Sequence, residues 1–237
     1  MRRRTVTGAI AAVAVVFLWG CSATPTDDNL TADQLQGLVA AGDLGLTPSF
    51  DLTFTKQPIA LQDGTIESFW SESDGTPEGC FDTYSVSYLG GESGENDEWA
   101  DIAGYYPDDG GAINVSGRSF DSADAASTYL ASVEESAATC NDAGGYQLFD
   151  GEGHVGWDVT GVTVEPVTLD LPDGVTAVNQ EETLADGFAV GYRVTLLQYR
   201  NVVVAVMAQQ LEASEFTFDQ VDKLAETVAG RLAALKP

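Results

Sequence analysis

The sequence predicts an α+β fold, an antiparallel β-sheet with about three helices packed mainly on one face, in a single domain over residues 30–237. Three observations carry this reading. Apolar and polar residues alternate with period two through much of the stretch from Phe50 to Gly117. Helical spacing replaces that alternation over 121–140 and again over 217–235. Two strand-like runs, Phe188 to Tyr199 and Val202 to Ala208, are separated only by Arg200-Asn201, the spacing of a tight hairpin.

The first 20 residues stand apart from the domain. Arg2, Arg3 and Arg4 precede an apolar run from Val6 to Phe17, and Leu18-Trp19-Gly20-Cys21 follows. This order is that of a secretory signal peptide, residues 1–20. The run is shorter than the roughly 20 apolar residues that span a bilayer. A cysteine just after Leu-x-Gly is similar to a bacterial lipobox, so Cys21 is expected to be lipidated and to become the first residue of the mature chain. Residues 21–29 are short and polar and carry Pro25; they read as a tether from the lipid to the domain.

Within the domain, Thr31-x-x-Gln34 is a capping box, with Leu30 and Leu35 placed as a hydrophobic staple. Leu35, Leu38 and Val39 share one helical face, and Gly42 ends the expected helix. Phe50, Leu52 and Phe54, then Tyr84, Val86 and Tyr88, then Ile113 and Val115 read as half-buried strands. Ala126, Tyr129, Leu130, Val133, Ala137 and Cys140 line one face of the next helix, capped by Asp121 or Ser122. Residues 145–186 show short strand patterns at 146–149, 155–157 and 162–164, punctuated by Asp-Gly pairs. The unbroken apolar run Val202 to Val206 suits a strand covered on both faces. Thr217-x-x-Gln220 opens a last helix with Val221, Leu224, Val228, Leu232 and Leu235 buried.

Charge narrows the partners. The whole chain carries a formal charge of −27, and without residues 1–20 seven basic residues face 37 acidic ones, a formal −30. Nucleic acid needs Lys and Arg against its phosphates and is excluded as a partner. A surface this acidic does not adhere to anionic membranes, so lipid on Cys21 must supply the membrane attachment. The ligand is expected to be neutral or cationic: a glycan, a peptide, or a basic patch of another envelope protein. An anion would have to use Arg118, Arg193, Arg200 or a helix N-terminus.

Cys80 and Cys140 form an even pair in an exported chain and read as one disulfide. The loop of about 60 residues that it closes stabilises on the order of 4 kcal/mol. A catalytic thiol would need a histidine, and His154 is the single one, in a Gly-rich turn with no Gly-x-Ser-x-Gly elbow in the chain. The acidic stretches 92–98 and 108–110 offer oxygen atoms but lack the twelve-residue alternation of a calcium loop, and read as solvated turns. Tyr105-Tyr106-Pro107, Trp70, Trp99 and Trp157 could line a sugar or peptide cleft, although aromatic residues in such a domain mostly build the core.

A set of short patterns in fixed order carries a resemblance: the lipobox, Leu30-Thr31-Ala32-Asp33-Gln34-Leu35, Gly42-Asp43-Leu44-Gly45, and Phe120-x-Ser122-Ala123-x-Ala125-Ala126 opening a helix that ends at a cysteine. Tyr199-Arg200-Asn201-Val202-Val203-Val204 and Leu224-Ala225-Glu226-Thr227-Val228-Ala229 complete it. The chain resembles actinobacterial lipoproteins related to the extracellular sensor domain of the mycobacterial Ser/Thr kinase PknH. Members of that group commonly carry two disulfides, whereas this chain can form one. The resemblance implies a sensor or interaction module without catalytic residues, metal or cofactor, anchored on the outer face of the cell membrane, its ligand-binding residues unknown. An envelope hydrolase acting on wall glycan or peptide is the alternative, and a passive structural lipoprotein a third reading.

Overall fold

The computed structural model describes residues 29–45, 50–52, 54–58, 79–80, 86, 89, 94, 96–107, 111–148, 157–166, 168–184 and 189–237. The expectations for residues 1–28, with Cys21, and for Trp70, His154 and the acidic stretch 108–110 fall outside them. The strands are β1 (Thr55–Pro58), β2 (Glu98–Tyr105), β3 (Ala112–Ser119), β4 (Tyr146–Leu148), β5 (Trp157–Pro166), β6 (Val175–Leu184), β7 (Ala189–Tyr199) and β8 (Val202–Leu211). Helix α1 (Ala123–Asp142) follows β3, and α2 (Phe218–Ala233) follows β8. The strands form one sheet in the order β1-β2-β3-β8-β7-β6-β5-β4, with antiparallel neighbours throughout. The α+β class is therefore as expected.

The placement of the helices is not. Successive side chains of a strand point to opposite faces. In β8, Val202, Val204, Val206 and Ala208 pack with Val221, Leu224, Val228 and Leu232 of α2. Val203, Ala205 and Met207 pack with Ala126, Tyr129 and Val133 of α1. The two helices thus cover opposite faces, which the unbroken apolar run of β8 requires, and the one-face expectation is overturned. The expected helix after Thr31 is also shorter: a single 3-10 turn, Ala32–Leu35. Gly37 takes a left-handed φ of 89° and turns the chain before Gly42. Leu35, Leu38 and Val39 are still buried, but against the α2 face of the sheet. Leu35 lies over Gly117, where a Cβ would meet its Cδ1 at 2.5 Å.

Two further departures concern strands. Among the described residues the first alternation yields only the bridge Asp51–Gly104 ahead of β1. Val86, in the second, has helical backbone and accepts through its carbonyl from Leu89 N–H at 3.0 Å, so a turn carries both side chains into the α1 core. In the hard-to-read stretch, the patterns at 157 and 162–164 belong to one ten-residue strand, β5.

A few polar side chains lock the chain ends to the sheet. Asn201, fully buried in the β7–β8 turn, accepts from Leu30 N–H at 2.8 Å and donates to the carbonyls of Leu30 at 2.9 Å and Phe120 at 2.8 Å. Arg231 of α2 clasps the Asp43 carboxylate with both terminal nitrogens and donates to Leu38 O at 2.9 Å. Arg193 of β7 reaches Asp222 of α2 at 2.6 Å. Cys80 and Cys140 are joined, with Cα atoms 4.9 Å apart, and pack with Val159 and Val162 of β5. Beside them Asn141 exchanges two hydrogen bonds with the backbone of Val162. Disulfide and amide together hold the end of α1 onto β5.

Candidate functional site

The site begins with an irregularity in β2. Asp101 pairs with Ser116 and Ala103 with Val115, so Ile102 is an extra residue, a β-bulge. Plain alternation would send Asp101 and Tyr106 to opposite faces. The bulge shifts the phase by one, and Asp101, Gly104 and Tyr106 share the α1 side of the sheet. Asn114 of β3, opposite Gly104, joins them. So does Asp51, which pairs with Gly104 from the other flank through hydrogen bonds of 2.7 and 3.0 Å.

The contacts follow from this register. The Tyr106 ring lies back over Gly104, where an added Cβ would stand 2.4 Å from Cε2. Only the missing side chain lets the ring settle on the strand. Tyr106 is nevertheless 61% exposed, the largest exposure of any large hydrophobic side chain among the described residues. Asn114 Nδ2 donates to Tyr106 Oη at 3.3 Å and to Asp101 Oδ1 at 3.4 Å, both long. Its Oδ1 is buried and has no hydrogen-bond partner among the described residues. Burial pushes the Asp101 carboxyl above the usual aspartate range; the Asn114 amide opposes that, and the charge of Asp51 adds to it. The corner therefore offers an exposed aromatic face, a phenol whose oxygen is held as an acceptor so that its proton can be donated, and a carboxylate beside another carboxylate.

Farther along the same face lie Met207, Val194 and Tyr192, then Gln180 and Glu182 of β6, all buried. The polar run Asn179 to Glu182 hides β6 from a sequence reading. It breaks the apolar alternation even though Gln180 and Glu182 are interior.

The basic residues named from the sequence are mostly committed to internal partners. Arg118 is fully buried, donating to Asp97 Oδ2 at 2.7 and 3.2 Å and to Leu89 O at 2.9 Å, with its guanidinium 4.4 Å from the Phe120 ring centre. Asp97 in turn accepts from the backbone N–H of Gly94 and Asp121. The expectation of a solvated acidic turn fails at this residue, because Asp97 is a buried partner. Arg193 is held by Asp222 and Glu181. Lys56 bridges Asp33 at 2.8 Å and Glu98 at 3.2 Å. Arg200 sits in the hairpin turn with φ 53° and its guanidinium near the Tyr199 ring.

Of the candidate aromatic residues, Tyr105 and Trp99 belong to the buried set, Tyr105 edge-on to Phe50 and Phe216. Tyr106 alone of the three faces solvent. Trp157 opens β5. Asp101 and Asn114, which complete the corner, carry no signal in the sequence, since the bulge that places Asp101 leaves no motif.

Structural comparison defines the class at the level of the fold: a two-faced antiparallel α+β domain that is also found in one mycobacterial extracellular domain. The fold is similar to that of the extracellular domain of PknH from Mycobacterium tuberculosis, with a TM-score of 0.50 and 13% identity over 89% of this chain and 100% of that one. A weaker likeness, TM-score 0.42 and 11% identity over 87% of this chain and 99% of the other, is to an uncharacterised protein of Mycobacterium smegmatis, the Rv0999 ortholog. No family model matches the chain, and no curated protein matches it. The resemblance read from the short sequence patterns is thus met at the level of the fold.

Proposed function

We propose that this protein is a lipid-anchored, non-catalytic sensor or ligand-binding module of the cell envelope, held by Cys21 on the outer face of the cytoplasmic membrane. The observation that carries the reading is the likeness of nearly the whole chain to an extracellular domain. The lipobox-like Leu18-Trp19-Gly20-Cys21 supports the anchor. Among the described residues no helix is long and apolar enough to cross a membrane. The ligand is a neutral or cationic envelope molecule or protein, because most of the few bases are held in internal pairs.

Two experiments test this. Cys21→Ser should leave the protein without acyl label and move it from the membrane to the soluble fraction; continued acylation refutes the anchor. A thermal-shift screen of envelope fractions and basic peptides should find a stabilising binder, since a ligand at 100 times its Kd adds about 2.7 kcal/mol. Asp101 favours a second reading, an envelope hydrolase: a carboxyl raised by burial beside a second carboxylate is what a general acid needs. Turnover of wall glycan or peptide by the full chain, lost in Asp101→Asn, would select it.

A further inference from the structure

We propose that the corner formed by Asp51, Asp101 and Tyr106 binds a cationic side chain, an ammonium or guanidinium group presented by a basic peptide segment of a partner protein. The inference deepens the binding-module reading and rests on it. Two observations carry it. Tyr106 presents an exposed ring face whose position is built into the strand by Gly104. Such a face attracts a cation within about 6 Å. Two carboxylates share that side of the sheet, brought there by the bulge at Ile102 and by the Asp51–Gly104 bridge.

The donors and acceptors also discriminate among ligands. Asn114 Nδ2 is already turned to Asp101 and Tyr106. A carboxylate can accept several hydrogen bonds, so beyond the single phenol proton of Tyr106 what the corner offers a ligand is acceptor capacity. A saccharide needs donors and acceptors in alternation around its ring, whereas an ammonium or guanidinium group needs acceptors and a π face only. An anion would enter a field of one sign. A basic side chain lying on Tyr106 with its charged head at Asp101 and Asp51 uses the ring face and both carboxylates and leaves the phenol proton to water.

The test uses the full chain in detergent and a dye-labelled pentapeptide, Gly-Lys-Gly-Lys-Gly, followed by fluorescence anisotropy against the same peptide with Gln for both Lys. The expected result is binding of the Lys peptide, weakening as salt rises, and none of the Gln peptide. Tyr106→Ala, Asp101→Asn and Gly104→Ala should each weaken binding about threefold or more, with Tyr106→Phe close to the parent. Glu135→Gln, which removes an exposed acid on α1, should leave it unchanged. Circular dichroism melts establish that each variant is folded, and the distinct Gly104→Ala and Asp101→Asn routes keep the test open if one is not. Equal binding of both peptides, no binding of the Lys peptide, or equal loss in Glu135→Gln and Asp101→Asn overturns the site. A ligand found by the thermal-shift screen that ignores these variants would overturn this site and leave the module reading standing.

Discussion

Asn201 shows how much of the architecture one side chain can hold. Its amide satisfies three backbone groups from two distant segments, all buried. Removing it leaves those groups without partners, at roughly 1–3 kcal/mol each. Asn201→Ala should lower the urea midpoint by the equivalent of about 3 kcal/mol or more with an unchanged slope. Asn201→Asp should rescue only the bond from Leu30 N–H, because a carboxylate cannot donate to the two carbonyls. Arg118 and Asp97 act in the same manner inside the α1 core, and breaking such a buried pair leaves a charge with no compensation. Leu89, in the left-handed region at φ 54°, is held there in part by the Arg118 bond to its carbonyl. Asp101 behaves oppositely. Its folded pKa lies above the ordinary 3.8, so the unfolded chain releases this proton first. The contribution of Asp101 is full below pH 3.8 and is lost as pH rises through the higher folded value. Asp101→Asn should therefore be at least as stable as the parent at pH 7 and show a shallower loss of stability above pH 4, measured by urea melts across pH.

At the scale of elements, caps and staples decide where helices run. Ser122 accepts from Ala125 N–H at 3.1 Å and starts α1 where the polar pattern places it. Gln220 accepts from Thr217 N–H at 2.9 Å in the same role for α2. Gln34 makes the matching bond to Thr31, yet only one 3-10 turn follows. A cap starts a helix, but the left-handed Gly37 and the packing of Leu35 onto Gly117 end this one early. The disulfide closes a loop spanning a sequence separation of 60 and fastens the last turn of α1. Replacing both Cys80 and Cys140 with Ser should cost on the order of 4 kcal/mol by loop entropy. Guanidinium unfolding of the exported double variant, without reductant, measures this directly; a loss under about 1 kcal/mol would show that Asn141 and the β5 contacts hold α1 without it.

For the whole molecule, net charge is the main interaction that packing leaves uncompensated. A formal −27 is spread over a chain in which Lys56, Arg118, Arg193 and Arg231, four of its ten basic residues, are drawn into ion pairs among the described residues, so the exterior repels itself. Raising ionic strength from about 0.01 to 0.15 M shortens the screening length from roughly 30 to 8 Å. The melting temperature should rise over that range, because exposed like charges are screened more than the buried Arg118–Asp97 pair. A fall would mean that the surface pairs Lys56–Asp33 and Arg193–Glu181 outweigh the repulsion.

Local order was legible because its causes are local. The caps at Ser122 and Thr217, the apolar stripes of α1 and α2 and the Arg200-Asn201 hairpin are each written in a few neighbouring residues, the Cys80–Cys140 pair follows from the cysteine count of an exported chain, and the α+β class follows from the alternation of the elements. The cover of β8 on both faces stood in the run Val202 to Val206, although the placement of the two helices on opposite faces of the sheet was not read from it. What only the tertiary structure decided depends on register. The bulge at Ile102 moves Asp101 to the side of Tyr106, the bridge at Gly104 brings Asp51 beside them, and a polar strand such as β6 is buried by what packs over it. A one-residue shift reverses every later side chain of a strand. The energy that selects that shift comes from pairing with residues far away in sequence, so no stretch of the chain read by itself contains the corner where Tyr106 meets its carboxylates.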